Sequence, residues 1–202
     1  MSILPIIEIP DPLLRKRARK VRRIDKSVLK LANNMVDTLR EAGGVGLAAN
    51  QVGELQRIIV IQLPEEEQAR IYVNPEIVKT EGEREVEEGC LSIPGYRGKI
   101  IRSVTIRFGA LDHSSNRLRI DADGLLAQAL EHEVDHLNGI LYTDHLRSHD
   151  DFYMIEADHE SIEHTGTSHN DDTEDSTIIV PRTSDGIIKP DGSVDDATEK
   201  VN

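Results

Sequence analysis

Tryptophan is missing from the chain, and aromatic residues make up only 3% of it. The core must therefore be built mainly from Leu, Ile, Val and Ala. No run of 18 or more apolar residues occurs, which excludes a transmembrane helix. The start, MSILPIIEIPDPLLRKRARK, lacks the order of a signal peptide: its apolar stretch is short, contains prolines and precedes the charges. Cys90 is the single cysteine, so no internal disulfide forms and a reducing, cytoplasmic setting is expected. Its thiol is a core residue, a nucleophile or a metal ligand. What remains is a chain of 202 residues, enough for one domain with a real core and a tail. The net charge of −13 is uneven: residues 147–202 hold 15 Asp/Glu against 4 Lys/Arg, and residues 1–146 hold 22 against 20. The acidity belongs to the tail and argues against nucleic-acid binding there.

Residues 25–42 predict an amphipathic helix, with Val28, Leu31, Met35 and Leu39 at helical spacing, Asp25 as cap and Gly43-Gly44 as stop. GVGLAANQVG follows, too rich in glycine for a helix interior and too apolar for a linker. QRIIVIQ (56–62) predicts a buried strand, and RIYVNPEI (70–77) a strand broken by Pro75. EREVEE (83–88), SVTIRFGAL (103–111) and RLRIDAD (117–123) predict further strands, with HSSN as the turn between the last two. Gly124 to Asn138 predicts a second helix ended by Gly139. Strands between an early and a late helix give an α+β fold, with antiparallel strands packed around a central metal-binding helix. A boundary is expected after residue 147. Beyond it the sequence suggests an acidic, partly disordered tail, 148–202, with a short helix near 152–155 and a hairpin pairing 176–181 with 186–190.

The late helix carries His132-Glu133-Val134-Asp135-His136. Histidines four apart share one helix face, about 5–6 Å between Cβ atoms, a span that suits two imidazoles on one ion. Glu133 is placed to take a proton from a water that the metal has acidified. Alone, the pentad is also compatible with an ordinary amphipathic helix, or with a zinc endopeptidase. A protease needs a third ligand downstream: a Glu on a later helix, or a His continuing the motif. The continuation here is Leu137-Asn138-Gly139-Ile140, and the next histidine, His145, follows the helix end. Cys90, in EEGCLSIP between Gly89 and Pro94, could complete a Cys-His-His set with one position open; a small core hydrophobe is the plainer alternative.

Three segments, GVGLAANQ (44–51), EGCLS (88–92) and HEVDH (132–136), stand in the order and spacing of the peptide deformylases, and the chain resembles that family from about Ile6 to Leu146. The resemblance implies removal of the formyl group from the N-terminal formyl-methionine of new bacterial polypeptides, in the cytoplasm. It implies that Cys90, His132 and His136 bind the metal, that Glu133 is the general acid/base, and that Gln51 with the Leu91 backbone N–H forms the oxyanion hole. One divalent ion per chain is implied, Fe2+ first, with Zn2+ or another divalent ion as alternatives. Peptide binding is expected as strand addition along Gly44, Val45 and Gly46 and along the strand leading into Gly89. Val45, Val86, Leu125 and Ala129 are candidates for the methionine pocket, and Arg97 for a contact to the peptide. Glu88, Arg102 and Asp135 are candidates for steadying the ligands.

Two departures stand out. Family members often carry Pro before the motif glutamine; here Asn50 stands there, an expected loop substitution. Well-known bacterial members carry a basic C-terminal helix that helps docking on the ribosome, whereas this tail is acidic. The basic run LRKRARKVRR (14–23) could serve a transient ribosome contact instead, without sequence-specific recognition. The tail histidines, His145, His149, His159, His164 and His169, are expected at the surface. A non-catalytic peptide-binding homologue is the remaining rival, opposed by the retention of Gln51, Cys90 and Glu133.

Overall fold

The computed structural model describes residues 2–155. After an extended N-terminal segment come α1 (Lys26–Glu41), β1 (Gly46–Ala48), β2 (Ile58–Ile61), β3 (Arg70–Glu81), β4 (Arg84–Cys90), β5 (Ile93–Arg102), β6 (Thr105–Leu111), β7 (Arg117–Asp123), α2 (Gly124–Asn138) and β8 (Phe152–Met154). All pairing between strands is antiparallel, in a five-stranded sheet of order β1-β2-β3-β6-β7 and a three-stranded sheet of order β4-β5-β8. The α+β expectation holds. Among the described residues no helix is long and apolar enough to cross a membrane.

The larger sheet is a layer between the two helices. Side chains alternate along a strand, and every residue of Ile58-Ile59-Val60-Ile61 is buried. Ile58 and Val60 pack with Val28, Ala32, Met35 and Leu39 of α1. Ile59 and Ile61 pack with Ala127, Leu130, Val134 and Leu137 of α2. An all-apolar strand with two buried faces follows directly. A third cluster, Leu14, Val86, Ile93, Ile100, Leu141 and Tyr142, lies against the smaller sheet.

Helix ends follow their caps. Asp25 accepts from the N–H groups of Ser27 (2.9 Å) and Val28 (3.1 Å). Gly139 closes α2 with φ of 79°, and its backbone packs so tightly that a Cβ there would lie 2.4 Å from the Arg15 carbonyl oxygen. The N-terminal segment touches several elements at once: Ile7 N–H donates to Gln51 O (2.7 Å), Ile9 N–H to Ser92 O (3.0 Å) and Ala18 N–H to Leu137 O (2.9 Å).

Three expectations change. Pro75 does not break its strand; β3 runs on to Glu81 through a register irregularity between Val73 and Glu76, where Asn74 takes φ of 53° and its side chain binds Val21 N–H (2.8 Å) and O (2.9 Å). The helix expected near 152–155 is instead strand β8, paired with β5 through Tyr96–Met154 and Gly98–Phe152. The domain boundary expected after residue 147 falls inside a compact unit that ends at Ile155. The hairpin pairing 176–181 with 186–190, and His159, His164 and His169, lie outside the described residues.

Candidate metal centre

Helix α2 carries three candidate side chains on its inner side: His132, Glu133 and His136, with relative exposures of 9%, 3% and 1%. Cys90 ends β4, where the register shifts between Gly89 and Cys90 and turns the thiol toward the helix. Its Sγ lies 3.2 Å from His136 Nε2, and the two imidazoles stand edge to face, centroids 4.8 Å apart. One ligand atom from each of Cys90, His132 and His136 lies within 4.8 Å of the others. A tetrahedral ion with bonds of about 2.3 Å to sulfur and 2.0–2.1 Å to nitrogen needs donors roughly 3.3–3.6 Å apart, so the three residues fit one divalent ion. The polar orphans nearby agree: Glu133 Oε2 and His136 Nδ1 are buried without a hydrogen-bond partner.

The outer groups fix the inner ones. His132 Nδ1–H donates to Glu88 Oε2 (2.7 Å), leaving Nε2 for an ion. Glu88 also receives Arg102 Nε (2.8 Å) and Nη2 (3.1 Å), and Arg102 Nη1 donates to Asp135 (2.6 Å). Asp135 in turn meets His145 Nε2 (2.9 Å), so His145, expected at the surface, stands half-buried at the edge of this network. Arg102 and Glu88 are buried. Burial would raise the Glu88 carboxyl, but hydrogen bonds from His132 and Arg102 outweigh it and hold it at about 2. Burial would lower His132, yet Cys90 and Glu88 push it well above its usual value. Burial, then the charge of His132, holds His136 well below its usual value. Burial pushes the Glu133 carboxyl up to about 7, against the pull of His132.

Gln51 reaches the same point from the other side. It sits in a one-turn 3-10 helix, Ala49–Val52, and its Oε1 accepts the Ala48 N–H (2.8 Å). Its Nε2 is thereby turned toward Ser92 Oγ (3.2 Å) and Cys90 Sγ (3.6 Å). Leu91 flanks this group, its side chain against Gly44. Both strands expected to receive a peptide are sheet edges, β1 in the larger sheet and β4 in the smaller. Ala129 is buried, and Leu125 is exposed at 44%. Val45 packs at the margin of the α2 core and Val86 inside the smaller-sheet core. Arg97 pairs across the strands with Gly89, but its guanidinium is engaged by Glu87 (3.0 Å).

Three residues escaped the sequence reading. Ser92 and Asn50 sit inside the motifs but bear side chains common in loops, so only burial marks them. Both are completely buried, and Asn50 is therefore no ordinary loop substitution. Tyr142 stacks on His132 with centroids 6.3 Å apart, and its hydroxyl is buried without a partner.

Gly46 carries a sharper constraint. A Cβ there would sit 2.4 Å from Glu133 Oε1 and 2.9 Å from its Cδ and Cγ. Gly46→Ala should therefore push the carboxylate aside and lower turnover by about 10²-fold, as expected when a reacting group is misplaced by about 1 Å. A steady-state rate equal to wild type would contradict this packing.

Comparison with known proteins gives a consistent result. The family model for polypeptide deformylase matches residues 3–152. A peptide deformylase from Dehalococcoides mccartyi (strain CBDB1) is 48% identical over 163 residues, 81% of this chain and 98% of the relative. A crystal structure of a peptide deformylase from Legionella pneumophila superposes with TM-score 0.70 at 44% identity, covering 72% of this chain and 86% of that one. The enzyme from Synechococcus elongatus, solved in complex with actinonin, gives TM-score 0.71 at 37% identity, covering 75% and 82%.

Proposed function

The chain belongs to the polypeptide deformylase family, and from that premise we propose how its own residues carry the reaction. The protein is a hydrolase that removes the formyl group from the N-terminus of nascent polypeptides, releasing formate. The family uses a divalent metal; we assign it here to Cys90, His132 and His136, one ion per chain, as Fe2+ with Zn2+ or another divalent ion as substitutes. The observation that supports this is the clustering of those three donors beside the unpartnered, buried carboxylate of Glu133.

The bound cation supplies Lewis acidity, which brings the proton of a water molecule within reach of a carboxylate near neutral pH. Glu133 takes that proton and later gives it to the departing amine. The formyl oxygen gains negative charge as the carbon is attacked, and the Gln51 amide with the Leu91 backbone N–H donates to it without cancelling the ion's charge. The peptide lies as an added strand between Gly44, Val45 and Gly46 on one side and the β4 edge at Gly89 on the other. Val45, Val86, Leu125 and Ala129 border the methionine side chain, and Arg97 meets the peptide once it leaves Glu87. All catalytic groups fall within residues 1–147, and the acidic segment beyond takes no part in the chemistry. The setting is the bacterial cytoplasm, with any ribosome contact made by the basic run at 14–23.

A zinc endopeptidase is not favoured, because it has no use for Cys90; nor is a non-catalytic binder, because it has no use for Glu133. The test is formate release from formyl-Met-Ala-Ser by anaerobically prepared, iron-loaded protein, with metal content measured alongside. Activity should depend on metal and vanish in Cys90→Ala. Peptide-bond cleavage in place of formate release, or no activity with metal bound, would overturn the assignment.

A further inference from the structure

Asn50 lies directly before Gln51 and is completely buried. Its Nδ2 donates to the carbonyl oxygen of His136 (2.5 Å) and approaches that of Leu14 (3.4 Å). Two carbonyls facing one end of the side chain fix the amide's orientation, since the opposite one would set oxygen against oxygen. The other end, Oδ1, is buried without a partner. A buried acceptor without a partner is destabilising, so packing alone gives no reason for an amide here.

The neighbouring side chain completes a pattern. Gln51 holds the Cys90 end, through Ser92 Oγ and the thiol itself. Asn50 holds the His136 end, at a carbonyl of the last turn of α2 that also accepts the Gly139 N–H (3.0 Å). Adjacent residues of one short turn thus reach both segments whose donors, Cys90 Sγ and His136 Nε2, lie 3.2 Å apart. We propose that Asn50 is a positioning residue for the metal centre: its bond to the His136 carbonyl sets the height of α2, and with it the imidazole, against the Cys90 loop. This rests on the metal reading above.

Two variants separate positioning from packing. Asn50→Ala removes the bond. Asn50→Leu removes it while keeping most of the volume and eliminating the orphan oxygen, so a purely packing role predicts no loss. Apparent affinity for Co2+ and Zn2+ is measured by competition with a chromophoric chelator, and the Co2+ spectrum is recorded. Both variants should bind metal about 10–100-fold more weakly, the range for loss of a group that orients a ligand. The cobalt d–d envelope should shift while the sulfur-to-cobalt band persists, because Cys90 stays bound. In metal-saturated protein kcat should fall with KM nearly unchanged. Wild-type affinity and an unchanged spectrum in Asn50→Leu overturn the proposal, whatever happens to melting temperature. Wild-type protein that binds no metal, or Cys90→Ala that binds as tightly as wild type, overturns the metal centre itself and this proposal with it.

Discussion

Glu133→Gln should leave the protein folded and metal-loaded while turnover falls by about 10²–10⁴-fold, the usual worth of a positioned acid/base. The side chain is a suitable single test because it has one role. It lies next to a proposed ligand without being one, and glutamine reproduces its shape against the Gly46 backbone. What glutamine cannot do is accept and return a proton. Burial holds the carboxyl at about 7, so removal of that acid costs no favourable charge in the folded protein, and stability should not suffer. Formate release and metal content, measured on the same sample, decide the matter. A fully loaded variant with wild-type turnover would remove Glu133 from the chemistry.

Arg102→Met should destabilise the fold by about 3–5 kcal/mol, the range for breaking a buried ion pair from one side. Arg102 is 6% exposed and donates to both Glu88 and Asp135. Its loss leaves the buried Glu88 carboxylate with His132 as its remaining partner, and Asp135 with His145. A domain stable by about 5–15 kcal/mol should then melt at a much lower temperature, and metal affinity should weaken because His132 depends on Glu88. The pH dependence has a definite sign. Glu88 is held at about 2 in the folded protein, below its ordinary 4.5. Its contribution to stability is therefore present above about pH 4.5 and is lost as the pH falls toward 2. In the variant, burial dominates and the Glu88 carboxyl rises. The stability gap between the two proteins should narrow as the pH falls below about 4.5. Denaturant melts at several pH values measure it; a gap independent of pH would mean that Glu88 is not the group left uncompensated.

Much of the molecule is legible in local sequence. The two helices announce themselves by spacing and by Asp25 and Gly139, and the proposed ligand set stands out as three short motifs. Strand β5 does not. Pro94, Gly95 and Gly98 read as a loop, yet Gly98 is small because Tyr142 and Leu146 pack where a side chain would stand, with a Cβ meeting them at 2.8 and 2.9 Å. Strand β8 escapes for a related reason: its pairing partner, β5, is itself hidden. Glu88 and Arg102 were recognisable as candidates, but whether such a pair is buried or solvated depends on distant strands and is invisible in the residues themselves. Asn50 is the clearest loss, because an asparagine in a turn is ordinary until its acceptor, the His136 carbonyl, is known.

The N-terminal segment has a consequence for the order of assembly. Residues made first, from Ile7 to Ala18, find their partners on Gln51, Ser92 and Leu137, and Gly139 closes over Arg15. None of these contacts with α2 can form while the helix is still unsynthesised, and closing so long a loop delays folding. An incomplete chain therefore cannot hold its own centre. The protein acts on nascent polypeptides, yet it gains that ability only after nearly all of its described residues have been made.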